Sequence, residues 1–343
     1  MTHALTIHHS PFLTLSSSTL TPIYSHQVVP TSCKAHVCVA AAYNDLNTKE
    51  ARLNAIPHLK KAFEIKPNYA GAHFMQGTIH RELGDKEKAA TSFQAVIQHS
   101  SETEYKPDVL YLGLVNYGAL LMHGGMKNIA RHGTSKQQKL NAKRALLEAI
   151  VLEPTRYAPN ANLAELHSGM GEWDLAVHRY KIAATHAEVQ ADLYNNYAIA
   201  IYKRAVTLNP KKQGMDVLDQ VENLYHESIR LDGDYLNPRR NLGKIYYRKK
   251  MYQEALVEFQ HCARLAPFDG RCWYDIALAA MRLEDWKTSV ITFEQLFVEE
   301  EVGEGGGEEG FKVKRGMDMS DVKLAQALAN YHTAKQQQER NRL

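Results

Sequence analysis

Between residues 240 and 248, basic and aromatic side chains share one face at helical spacing: Arg240, Lys244, Tyr247 and Arg248. Guanidinium forks and ammonium groups gathered on one face can hold carboxylates or phosphates, and tyrosine adds stacking area. Related sets occur nearby as Tyr202 with Lys203, and as Arg271, Tyr274 and Arg282. The plainer reading of such a basic run is a solvated helix face, and both readings stay open on sequence alone. Asparagine supplies a second pattern. Asn116, Asn162, Asn196 and Asn241 fall inside segments with helical periodicity, where Asn is a poor choice. An amide offers both a donor and an acceptor, so a row of them could grip a peptide backbone without reading its side chains. The alternative is that each amide bonds a neighbouring helix and stabilises packing.

Other chemistries lack their residues. The chain has 17 histidines but no HExxH and no CxxC; the nearest metal-like spacing is Cys33-x-x-His36-x-Cys38, which we read as incidental. His73, His80 and His167 fall where core or groove residues are expected. No glycine-rich phosphate loop follows a strand, and GEGGG is flanked by glutamates that would repel phosphate. Ser16 to Ser18 have no partner base. The expectation is a non-enzymatic protein with no cofactor and no metal.

The elements that carry these residues recur. Leu236–Pro267 reads as two amphipathic helices, with Leu242, Gly243 and Tyr246 striping the first and Ala255, Phe259 and Cys262 the second. Pro267 ends the unit, having no amide hydrogen to continue a helix. Small residues mark close backbone approach and large ones fill the space between. This resembles the tetratricopeptide repeat (TPR), a 34-residue helix–turn–helix. The same phase recurs over 36–69, 70–103, 111–156, 157–190, 191–235, 236–269 and 270–303, which makes seven repeats. The expected fold is therefore all-α. The resemblance implies a right-handed superhelical solenoid whose first helices line a concave groove, with an array over 36–298. The asparagine row resembles the ladder in the TPR superhelix of O-GlcNAc transferases, but the repeats leave no room for a glycosyltransferase domain. The carboxylate clamp of chaperone-binding TPR domains is not matched, because Asp275 stands where its asparagine belongs.

Several segments depart from the plain repeat. In the first repeat Pro57 is expected to mark a late start or a kink of the second helix. The third repeat is twelve residues too long and the fifth eleven, both at the inter-helix turn. Val109 to Leu147 carries Lys127, Arg131, Lys136, Lys139, Lys143 and Arg144 and no acid, so a basic extension is expected there; 209–214 reads as a turn. Val115, Ala119 and Met122 predict an apolar groove at the third repeat. Residues 1–35 hold twelve Ser/Thr, no Arg and no acid, and read as a disordered leader, with a targeting segment as the alternative. Residues 299–317 read as a Glu/Gly-rich linker without helix or strand. Residues 318–343 read as a capping helix and tail, with Ser320 as the helix cap.

A formal charge of +3 is too small to announce nucleic acid, and no apolar run spans a membrane. Four cysteines do not make a disulfide framework, a usage that fits a reducing compartment. The expected function is a protein-interaction scaffold or adaptor that takes an extended acidic or carboxylate-bearing peptide. Its groove residues would be Asn116, Asn162, Asn196, Asn241, Tyr202, Lys203, Arg240, Lys244, Tyr247, Arg248, Arg271, Tyr274 and Arg282. A subunit of a larger ciliary, trafficking or organellar complex is the first alternative, and an RNA-binding helical repeat the second. The cytoplasm is the expected location, or plastid or mitochondrion if the leader is a transit peptide.

Overall fold

The computed structural model describes residues 32–100, 107–122, 135–186, 190–209, 214–300, 310–313 and 321–341. Most of the leader and Ser320 lie outside those residues, as do Lys127 and Arg131. The chain divides into two compact units, Met1–Val189 and Gln190–Leu343, and each is described by itself.

The first unit pairs α1 (Cys33–Asp45) with α2 (Lys49–Ile65), α3 (Ala70–Glu82) with α4 (Lys86–His99), α5 (Pro107–Met122) with α6 (Ser135–Leu152), and α7 (Ala158–Gly169) with α8 (Trp173–Ala183). The second pairs α9 (Ala191–Leu208) with α10 (Met215–Leu231), α11 (Leu236–Arg248) with α12 (Tyr252–Leu265), and α13 (Gly270–Arg282) with α14 (Trp286–Glu294). Starts are set by side-chain caps: Ser32 accepts from the Ala35 amide, Thr48 from Ala51 and Asp285 from Thr288, each satisfying a donor that the helix leaves open. Because Ser32 caps α1, the helix begins at Cys33, inside the segment expected to be leader.

Within a pair, close approach depends on glycine. A methyl group on Gly77 would sit 2.7 Å from the Phe93 ring, and one on Gly243 would sit 2.5 Å from Phe259. In these two pairs the aromatic ring of the second helix thus lies against the backbone of the first, as the small–large alternation predicts.

Five expectations are corrected. Pro57 does not delay α2: the helix starts at Lys49 under its Thr48 cap and runs to Ile65 with Pro57 inside it. In the fifth repeat the extra residues lengthen both helices, to 18 and 17 residues against 13 and 14 in α11 and α12, so the insertion is largely helical. Val115, Ala119 and Met122 are buried in a core cluster with Phe93, Leu146 and Leu163, so the apolar face of α5 is interior and no groove. Glu/Gly-rich 299–317 was expected without strands, yet Phe297–Glu300 (β1) pairs antiparallel with Gly310–Val313 (β2). Phe and Val at the two ends favour extended pairing, and they lie outside the glycine tract. Finally, Cys262 on α12 and Cys272 on α13 form a disulfide with Cα atoms 5.9 Å apart, whereas Cys33 and Cys38 are free thiols. Both paired cysteines are small residues in facing packing slots, a relation that the intervening Pro267 turn hides in the sequence.

The last helix, α15 (Asp321–Arg340), lays Ala327, Tyr331 and Ala334 against Val290, Phe293 and Leu296. Tyr331 meets Phe293 edge-on at 6.4 Å.

Burial in the first unit has an acid-stability consequence. Desolvation is the first cause holding His58, His73, His80 and His167 below the ordinary 6.5, although Glu172 opposes it at His167 through a 2.5 Å contact. Each is harder to protonate in the folded chain than in the unfolded one, so the unfolded chain takes up more protons as pH falls through 6.5, and stability declines from there downward. The urea midpoint of this unit, read from Trp173 fluorescence with Trp273 and Trp286 replaced by Phe, is expected to be lower at pH 5.5 than at pH 7.5. A flat profile would show that these rings are solvated in the fold.

Candidate functional site

Three first helices of the second unit, α9, α11 and α13, line a cavity of about 670 Å³. Its floor is Tyr225, Ile245 and Phe259. The residues that the three helices contribute fall at matching repeat positions, so the walls are layered along the helix direction. Deepest toward the helix starts lie Asn241 and Asp275; next come Ile199, Lys244 and Leu278; then Tyr202 and Tyr247; then Lys203 and Arg248, with Lys250 and Tyr252 beyond at the turn. From Asn241 to Arg248 is seven residues, about 10 Å of helix. The cavity thus has an amide and carboxylate end, a middle of aliphatic residues with Lys244 among them, and a basic end.

The basic end is ordered by its aromatic neighbours. The Arg248 guanidinium lies 5.2 Å from the centre of the Tyr202 ring, within cation–π range. Arg282 Nε donates to the Tyr247 hydroxyl at 2.8 Å, so the Tyr247 proton remains available to donate. Burial pushes the Tyr202 and Tyr225 hydroxyls above their usual range, with the Arg248 charge opposing it at Tyr202, and both stay protonated donors at neutral pH. Among the described residues none of Lys203, Arg248 and Lys250 has an ion-pair partner. Their neighbour Lys249 points away and bonds Asp219 and Glu222 of α10.

Lys250 holds φ +65°, in a turn slot that glycine fills at Gly84 (+82°) and Gly171 (+76°). A side chain there costs about 1–2 kcal/mol relative to glycine. Glu284 accepts the same conformation in the following repeat. Lys250 and Tyr252 were missed by reading helix faces, since both lie at or after the turn; the departure from glycine at this slot was the available signal.

The other sequence candidates are placed differently. Asn116 and Asn162 are 1% and 0% exposed, and Ala41 and Met75, at the same repeat position, are buried as well. Asn116 donates to the Leu112 carbonyl at 2.8 Å and accepts from Arg81. In the first unit this position is therefore a packing slot, and the expected binding role of these two amides is corrected. In the second unit Asn195 joins Asn196 and Asn241, at 3.0 and 3.1 Å, so this part of the row bonds to itself; only Asn241 of the three reaches the cavity. Arg240 was expected to bind ligand, but its Nε donates to Asp275 at 2.8 Å. Arg271 clasps Asp269 beside the start of α13, through a 2.7 Å bond among others. Tyr274 accepts from Asn330 of α15 at 3.3 Å and packs on Phe293. Arg282 works through Tyr247.

The paired helices, the repeated glycine–aromatic slots and the cavity between successive first helices define a stacked helical-repeat protein. Residues 72–102 and 241–269 each match a family model described as tetratricopeptide repeat. Those two segments thus carry the tetratricopeptide repeat. The solved structures that it resembles include the APC/C hetero-tetramer Cut9–Hcn1, with a TM-score of 0.54 and 13% identity over 72% of this chain and 42% of that one. The chain therefore spans less than half of that relative's length. The C-terminal part of a TPR repeat-containing protein from Cytophaga hutchinsonii gives 0.53 and 12% identity over 77% and 93%. At such identities the likeness is one of fold. Comparison with curated proteins gives no match by sequence. Among the described residues no helix is long and apolar enough to cross a membrane.

Proposed function

We propose that the chain is a protein-interaction scaffold whose α9–α11–α13 cavity takes an anionic peptide segment. The observation that carries this reading is the imbalance of charge in the cavity wall. Lys203, Lys244, Arg248 and Lys250 face it against one carboxylate, Asp275, which Arg240 holds from the side. Apolar surface from Ile199, Ile245 and Leu278 would accept the aliphatic part of a bound chain, and Asn241 its backbone.

The test is fluorescence anisotropy of a labelled Glu/Ser peptide with the full chain and with Lys203→Glu and Arg248→Glu. Each reversal is expected to weaken binding by roughly tenfold, and affinity is expected to fall with added salt. Both residues are surface-accessible at the cavity mouth, so circular dichroism should be unchanged. Equal affinity in all three chains would remove the cavity from the function.

A further inference from the structure

The cavity's layering carries the reading one step further. We infer that its basic end is built for a single phosphate monoester on a peptide side chain, rather than for a run of acidic residues. This rests on the cavity being the binding site and adds the chemistry of the group that enters it.

Three observations converge. Lys203, Arg248 and Lys250 line one end and have no ion-pair partner among the described residues. A phosphate monoester brings close to two negative charges and three terminal oxygens to one point, whereas a carboxylate brings one charge and two oxygens. Second, Arg248 lies within cation–π range of Tyr202 and the Tyr247 hydroxyl is held by Arg282, so a guanidinium and an O–H donor have partners that place them before any ligand arrives. Third, the opposite end carries Asp275 and Asn241, about 10 Å along the helix. A continuous polyanion, whether a glutamate run or a nucleic-acid strand, would lie across that carboxylate. A single anion followed by neutral peptide would instead meet Ile199, Ile245 and Leu278, with Lys244 beside them, and then the Asn241 amide. The conformation of Lys250 agrees: a left-handed turn that glycine fills more easily elsewhere in the chain here carries a cation at the cavity's rim.

The experiment compares four labelled probes on the full chain: one Gly/Ser/Ala peptide with central phosphoserine, the same peptide with phosphotyrosine, the same with glutamate, and oligouridylate. Two variants accompany them. Arg248→Lys keeps the charge and loses the planar fork, and Lys250→Gly removes the cation while relaxing the turn. At least one phosphopeptide is expected to bind about tenfold or more tighter than the glutamate peptide. The two arms tell whether the group arrives on a short or an aryl side chain. That preference should shrink severalfold in both variants, with the melting temperature of Lys250→Gly no lower than that of the parent. It should also weaken below about pH 6, where the monoester takes up its second proton, while glutamate binding holds. Phosphopeptide and glutamate peptide binding equally, both lost with Arg248→Glu, would overturn the phosphate inference and leave the anionic groove standing. Binding of every peptide unaffected by cavity variants would overturn both. Oligouridylate bound as tightly as the best phosphopeptide, and lost in the same variants, would overturn the peptide assignment in favour of nucleic acid.

Discussion

Phe259→Ala is expected to destabilise the C-terminal unit by about 3–5 kcal/mol, the range for deleting a buried aromatic ring from a packed core. Phe259 is 2% exposed and lies against the backbone of Gly243, within a cluster that includes Ala255, Leu256, Cys262, Ala263 and Ile276. Its cluster mixes small residues with Leu256, Ile276, Tyr246 and Tyr247, which are themselves held by helix packing and can only partly fill the space. Because the ring also floors the cavity, the variant should lose anion affinity at temperatures where it is still folded. Phe268→Ala provides the control: that ring is 71% exposed, and its loss should change stability by less than about 0.5 kcal/mol. Urea denaturation of the two chains checks both statements, and a loss below about 1 kcal/mol for Phe259→Ala would mean that α11 and α12 close up without it.

The second large effect is expected at Arg240. Its side chain is 15% exposed and that of Asp275 12%, and they meet at 2.8 Å across successive first helices. Removing one member of such a pair leaves the other poorly solvated. We expect Arg240→Ala to cost about 2–3 kcal/mol, less than the 3–5 of fully buried pairs because some water reaches this one. Arg240→Ala with Asp275→Ala should recover much of that loss, since the carboxylate that lost its Arg240 contact is then gone. Binding separates the two chains further. Arg240→Ala exposes the Asp275 carboxylate to an anionic ligand and should weaken affinity, whereas the double variant should bind at least as well as the parent. A double-mutant cycle read by denaturation and by anisotropy tests this. Additive losses, with no coupling between the two positions, would show that the pair does not act as a unit.

These two cases also mark how far the sequence could be read. Phe259 and Gly243 were legible because their types recur at fixed positions in repeat after repeat, and period alone places them at a helix–helix contact. The cavity residues Tyr202, Lys203, Lys244, Tyr247 and Arg248 were legible for the same reason, since phase assigns a helix face. Arg240 was misread because phase does not say what lies opposite: its partner Asp275 is 35 residues away, one repeat further on. Tyr247 and Arg282 meet across the same separation. Asn116 and Asn162 show the complementary limit. Their position faces the cavity at Asn241 but is buried in the first unit, so one repeat position has two environments. The β1–β2 pairing was hidden by composition, because the glycines and glutamates between the strands outweigh the few apolar residues that form them.

In a stacked array each repeat touches only its neighbours, so an end can fray without dragging the rest. The Cys262–Cys272 bond changes that rule at one junction, because α12 and α13 stay tethered while it is intact. An oxidised chain therefore sheds or keeps its last two repeats as one cooperative block, and the thiol balance around the protein sets how many repeats make up the end that frays.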